Sequence, residues 1–195
     1  VRVNAFIVLC YSDVPLAWTS NGFAFGAHPF DGGQMQYPPL LGLLLFVVIG
    51  ISGLLGAPVG TSLGVQAQLD GAQVFYAVCM VLLFACFLLW VLCQTFMGRD
   101  SQGGRYRSWD AMWLAASPVV LASGLVSWDL FAVSLAALGL LLFSKGRPVW
   151  SGLVLGLAVC AGLMAIAVVL AVALTFVLRT RIGQAGKFLG AAATV

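Results

Sequence analysis

Residues 73–97 read QVFYAVCMVLLFACFLLWVLCQTFM, twenty-five positions without one charge. A helix rises about 1.5 Å per residue, so about 20 apolar residues cross the hydrocarbon layer of a bilayer. This stretch meets that requirement alone. Its cysteines, Cys79, Cys86 and Cys93, recur every seven residues and therefore share one helix face. Successive members lie about 10 Å apart, too far for a disulfide or a shared ion. With no CxxC in the chain, they read as small apolar packing residues, and no metal site is expected.

The rest of the chain has the same character. Of 195 residues, 62% are hydrophobic and 8% charged, with a mean hydropathy of +1.08. Soluble domains carry about 25% charged residues, so composition makes the bilayer the expected solvent and the cell membrane the expected location. Glutamate is absent and lysine occurs twice. The net charge of +3 is too small to point to nucleic acid.

Working outward, four further apolar segments appear: 40–55, opened by Pro38 and Pro39; 109–125; 130–143; and 149–178. Proline suits a helix N-terminus. The last segment would make a helix of about 45 Å, longer than a bilayer core, and a break near Cys160-Ala161-Gly162 is expected. The fold expected is all-α: a polytopic, multi-pass integral membrane helical bundle with several short or broken helices. Residues 1–37 form its extracytoplasmic loop, and 38–195 its transmembrane region within a larger bundle. Val1 and Val195 read as the ends of a fragment or a shortened version of a longer protein. Gly152 and Gly156 form a GxxxG step, read as close helix packing.

Basic residues cluster at 98–108, 144–148 and 179–187, which the positive-inside rule assigns to the cytoplasmic face. The loop 57–72, residues 127–129 and the 160–162 break then fall outside. With residues 1–37 also outside, either 40–55 is shallow or re-entrant, or one basic loop breaks the rule.

Ionisable residues in or beside the membrane are candidates for function because burying them is costly. Asp13, in YSDVP, could act as a general base at the membrane surface or simply cap a helix. Asp129 could cap a helix or line a cavity mouth. Asp31 in HPFDGG reads as a turn residue. Asp110 reads as a cap or a partner for Arg107, and Asp70 and Asp100 as solvated loop residues. His28 has no companions for a metal site and reads as a loop histidine or as a hydrogen-bond donor to a phosphate. Trp18, Phe23, Phe25, Phe30 and Tyr37 give the opening segment an aromatic character suited to a bilayer interface or to sugar and lipid contact.

Taken in order, YSDVP, GFAFGAHPF, QYPPLLGLLLF, the run SPVVLASGLVSWDLF into GRPVWSGLVLGLA, and a basic RTR turn resemble the actinobacterial polyprenyl-phosphate-mannose-dependent mannosyltransferases of the glycosyltransferase C superfamily. The resemblance implies that Asp13 matches the acidic catalytic residue of the first extracytoplasmic loop. It would deprotonate a lipid or glycan acceptor, whose oxygen would displace lipid phosphate from a polyprenyl-phosphate sugar with inversion. It also implies substrate-binding roles for His28, Gln36 and Tyr37 and requires no cofactor; Asp129 joins these as a substrate-binding candidate from its cavity-mouth reading. The family's Lys-x-x-Pro step is missing, the chain reading AVCAGLMAIAVVL there. The competing expectation is a non-enzymatic polytopic membrane protein, a transporter piece or assembly subunit.

Overall fold

The computed structural model describes residues 13–27, 29–30, 37–60, 64–99, 110–118, 120, 124 and 127–195. Among them every regular element is helical. α1 (Asp13–Ser20) is followed by a 3-10 turn (Phe23–Phe25), then α2 (Pro39–Leu54), α3 (Val65–Arg99) and α4 (Asp110–Ala115). Two hairpins complete the chain: α5 (Asp129–Ser144) with α6 (Pro148–Ala161), and α7 (Ala165–Leu178) with α8 (Ile182–Ala193).

α3 is the one described helix long and apolar enough to cross a membrane, over Val65–Met97. It starts eight residues before the apolar run, because VQAQLDGA continues the helix rather than forming a loop. There Gln66 Nε2 donates to Asp70 Oδ1 at 3.0 Å, an i, i+4 pair on an exposed face. Asp70 is thus a helical residue, not a loop residue. The outer face of α3 is apolar and uncovered: Val81 is 72% exposed and Phe84 55%. The four other apolar helices, α2, α5, α6 and α7, have 14 or 16 residues, about 21–24 Å of rise.

The expected break in 149–178 falls at Gly162, whose extended backbone (φ −168°) caps α6 with its N–H on Ala158 O at 2.9 Å. A Cβ at Gly162 would approach that of Ala132 to 3.0 Å, so the chain turns against the start of α5. The segment 109–125 is interrupted: α4 stops at Ala115, ahead of Pro118. The 179–187 loop shrinks to a turn at 179–181, after which α8 runs back along α6. Its residues IGQAGKFLGAAA give no hydrophobic signal for a span. It forms because the GxxxG step leaves a groove for its backbone: a Cβ at Gly152 would collide with the Phe188 carbonyl, and one at Gly156 would sit 2.7 Å from Ala192 O. The GxxxG step therefore serves packing within the chain.

α3 and α5 run parallel. Phe75 meets Trp128 near their starts (ring centroids 6.4 Å), and Lys145 Nζ lies 5.6 Å from the Phe96 ring centre near their ends. α6 returns antiparallel to α5, with the buried Ser151 hydroxyl donating to Gly139 O at 2.8 Å. Phe143 meets Phe176 edge to face at 5.1 Å, and Phe176 meets Phe188 at a tilt at 5.7 Å, joining α5, α7 and α8. The structure thus has two ends. One holds α1 and the starts of α3, α5 and α7; the other holds the end of α3 and the turns of both hairpins.

Candidate functional site

The first end is organised by Phe75, a fully buried ring on α3. Trp18 of α1 lies 5.2 Å from it, Phe23 6.3 Å and Trp128 6.4 Å. Val14, Ala17 and Trp18 place the apolar face of α1 in this cluster, with Leu45 and Val48 of α2. Trp18 comes so close to α3 that a Cβ at Gly71 would lie 3.0 Å from its Nε1. The aromatic residues therefore divide. Phe25 and Phe30 are exposed, as an interfacial segment requires, whereas Trp18 and Phe23 are core. Residues 1–37 hold a packed helix rather than loop alone.

Asp13 is the first residue of α1. That helix is anchored by Val14 in the next position, so the backbone at Asp13 is fixed relative to the Phe75 cluster. Tyr37, half-buried against the same cluster, accepts a hydrogen bond from Asn21 Nδ2 at 2.9 Å. This contact ties the stretch after α1 to the start of α2. His28 and Gln36 lie outside the described residues.

Asp129 is the first residue of α5, directly after Trp128. Its Oδ2 accepts from the Ser127 hydroxyl at 2.9 Å, and the carboxylate is exposed. It also lines a cavity of 620 Å³ between α3, α5 and α7, as its cavity-mouth reading expects. The cap position itself is Trp128 and no side chain caps the helix, so Asp129 is an acid in the first turn and not the cap. Trp90 and Gln94, one turn apart on α3, share that cavity with Pro38, Ala136 and Met164. The walls are mostly aliphatic, with Gln94 and Asp129 as side-chain polar groups. Trp90 and Gln94 are not among the residues expected from the sequence. The available signal was a glutamine inside an otherwise apolar run, which a lipid-facing helix would not favour.

Among the described residues, two buried indole N–H groups, Trp18 Nε1 and Trp128 Nε1, have no hydrogen-bond acceptor. Each costs about 1–3 kcal/mol if left unpaired. They flank the ring that holds α1 and α5 together, so this end trades polar satisfaction for aromatic packing. Among the described residues no group of three metal-ligating side chains occurs.

The arrangement brings helices opened by Asp13 and Asp129, together with Tyr37, around one aromatic cluster. Beside Asp129 lies an apolar cavity large enough for a hydrocarbon chain. Comparison with family models, curated proteins and solved structures returns no match.

Proposed function

We propose that the chain is a multi-pass membrane glycosyltransferase, or part of one, that moves a hexose such as mannose from a polyprenyl-phosphate donor to a lipid or glycan acceptor. The observation that carries this reading is the Trp18–Phe75–Trp128 cluster, which holds the helix opened by Asp13 and the helix opened by Asp129 at one end of α3. The YSDVP, QYPPL and GRPVWSGLVLGLA motifs supply the family resemblance. Multi-pass insertion is part of the proposal, and the exposed apolar side chains of the helices support it. Leu54, Leu163 and Leu178 are 89%, 73% and 75% exposed, which suits contact with lipid and not with water. α2, α5, α6 and α7 suit a locally thinned bilayer.

In this reading Asp13 accepts the proton of the acceptor hydroxyl. The oxygen forms the new bond at the anomeric carbon while the bond to lipid phosphate breaks on the opposite face, giving inversion. Tyr37, oriented by Asn21, lies where a hydroxyl or phosphate oxygen could be bound. His28 and Gln36 are assigned to the same region by the resemblance. The cavity beside Asp129 accommodates apolar chain.

The test is transfer of labelled hexose from a polyprenyl-phosphate donor in membranes containing the chain. Asp13→Asn should lower transfer about 10²–10⁴-fold, the range for losing a general base, with protein level unchanged. Undiminished transfer removes the catalytic assignment. The Asp129-lined cavity favours a second reading, a non-enzymatic membrane protein such as a transporter piece. In that case Asp129→Asn abolishes flux while Asp13→Asn leaves it intact.

A further inference from the structure

The two hairpin turns share a pattern at the end remote from Asp129. Lys145-Gly146-Arg147 joins α5 to α6, and Arg179-Thr180-Arg181 joins α7 to α8. In each, a central residue with left-handed backbone (Gly146 φ 69°, Thr180 φ 57°) sits between two cations. The hydrogen bonds repeat too. Arg147 N–H reaches Leu142 O and Gly146 N–H reaches Phe143 O; Arg181 N–H reaches Phe176 O and Thr180 N–H reaches Val177 O. Both turns are Schellman caps that run straight into the next helix. Contact between Phe143 and Phe176, at 5.1 Å, sets them side by side.

Charge is segregated accordingly. Lys145, Arg147, Arg179, Arg181 and Lys187 are all exposed at this end, and among the described residues none is in an ion pair. The two carboxylates with described side chains, Asp70 and Asp129, belong to the other end, near the starts of α3 and α5. The N-cap positions sharpen the imbalance. Arg147 and Arg181 occupy the N-caps of α6 and α8, neither helix has a capping side chain, and neither has an acid in its first turn. A cation at the positive end of a helix dipole is unfavourable, and leading N–H groups there lack acceptors. An external anion relieves both. Around the turns, Trp150, Leu178 and Ile182 are 61%, 75% and 73% exposed, so the cations sit against apolar surface.

We infer that this end is a binding surface for the headgroups of anionic phospholipids, with lipid phosphate held between the two basic turns and acyl chains against Trp150, Leu178 and Ile182. A soluble anion would use the cations and leave the apolar rim in water; a phospholipid uses both. The inference rests on membrane insertion but not on sugar transfer. The surface fixes the bundle in the leaflet richer in anionic lipid and leaves the Asp13 and Asp129 end at the opposite face.

The test uses the chain reconstituted in phosphatidylcholine vesicles with trace spin-labelled phosphatidylglycerol or phosphatidylcholine, and compares the motionally restricted fraction of each label. Phosphatidylglycerol should be preferred about tenfold, equivalent to about 1.4 kcal/mol shared among the cations of the two turns. Replacing Lys145, Arg147, Arg179 and Arg181 together by Gln should bring the preference close to one. Single Arg147→Gln and Arg181→Gln changes, at exposed positions that preserve the fold, should each lower it about twofold. Lys145→Arg with Arg179→Lys should keep it, as should Asp70→Asn at the far end. Equal association of the two lipids with the unaltered chain, or an unchanged preference in the fourfold variant, overturns the inference. Loss of the preference on adding millimolar inorganic phosphate assigns a free-anion site instead and also overturns it. Failure of the chain to enter vesicles refutes membrane insertion itself, which is a separate outcome.

Discussion

The Phe75 end and the hairpin end are held together by opposite means. At the first, large rings fill space: Trp18, Phe23, Phe75 and Trp128 meet at centroid distances of 5.2–6.4 Å. Along the hairpin helices, the essential feature is missing side chain. Gly139, Gly152 and Gly156 let Leu155, the Phe188 carbonyl and the Ala192 carbonyl come close enough for helices to touch along their backbones. Association of apolar helices in lipid gains little from burial, because lipid is as apolar as leucine, so close packing must supply it. The Phe75 end seats a short helix and a polar segment; the hairpin end joins helices to helices. The difference teaches that side-chain volume places the candidate site, whereas backbone proximity builds the scaffold beneath it.

The largest effect should come from emptying the first end. Phe75→Ala is expected to cost about 3–5 kcal/mol and to release α1, read as a lower unfolding temperature in detergent with red-shifted tryptophan emission. Unshifted emission would mean that Trp18 and Trp128 do not depend on this ring. Next in size is a contrast between glycines. Gly152→Ala places a methyl on the Phe188 carbonyl and should destabilise by about 1–3 kcal/mol. Gly186→Ala, on the same pair of helices but facing open space, should stabilise by about 0.5–1 kcal/mol through helix propensity. Equal responses would dissolve the distinction between contact and spacer glycines. The smallest effect concerns the turns. Thr180 is the one described non-glycine residue with positive φ, a strained setting for a β-branched side chain. Thr180→Gly should raise stability by about 0.5–1 kcal/mol, matching this turn to Gly146. A loss of stability would show that the Thr180 hydroxyl, which donates to Arg179 O at 2.7 Å, contributes more than the backbone costs.

Legibility in the sequence followed the strength of local signals. Pro38-Pro39 marked the start of α2, and the excess length of 149–178 required a break, found at Gly162. Cys79, Cys86 and Cys93 are buried packing residues, as their spacing implied. α8 was not legible. Ile182, Ala185, Phe188, Leu189 and Ala192 recur at helical spacing, but the run is short and rich in glycine, and the groove that receives it lies on α6. Trp18 was read as an interfacial aromatic because local sequence cannot say that Gly71, more than fifty residues away, leaves a place for its indole. Of the candidate site, Asp129 and, as a glutamine in an apolar run, Gln94 carry a local signal, whereas Trp90 carries none, since its relation to Asp129 exists only across a cavity.

By itself the sequence determined a predominantly apolar chain, helical wherever the described residues form regular elements, one described helix able to cross a bilayer, and basic residues gathered in a few short stretches. These follow from composition and local rise, which need no partner. Only the tertiary structure decided that two separate basic stretches become neighbouring turns, that a GxxxG step receives a helix from the same chain, and that Asp13 and Asp129 start helices seated on a single ring. Each joins residues distant along the chain. Whether such residues meet depends on shape complementarity between surfaces, and in this protein that is set by where a ring is present and where a side chain is absent.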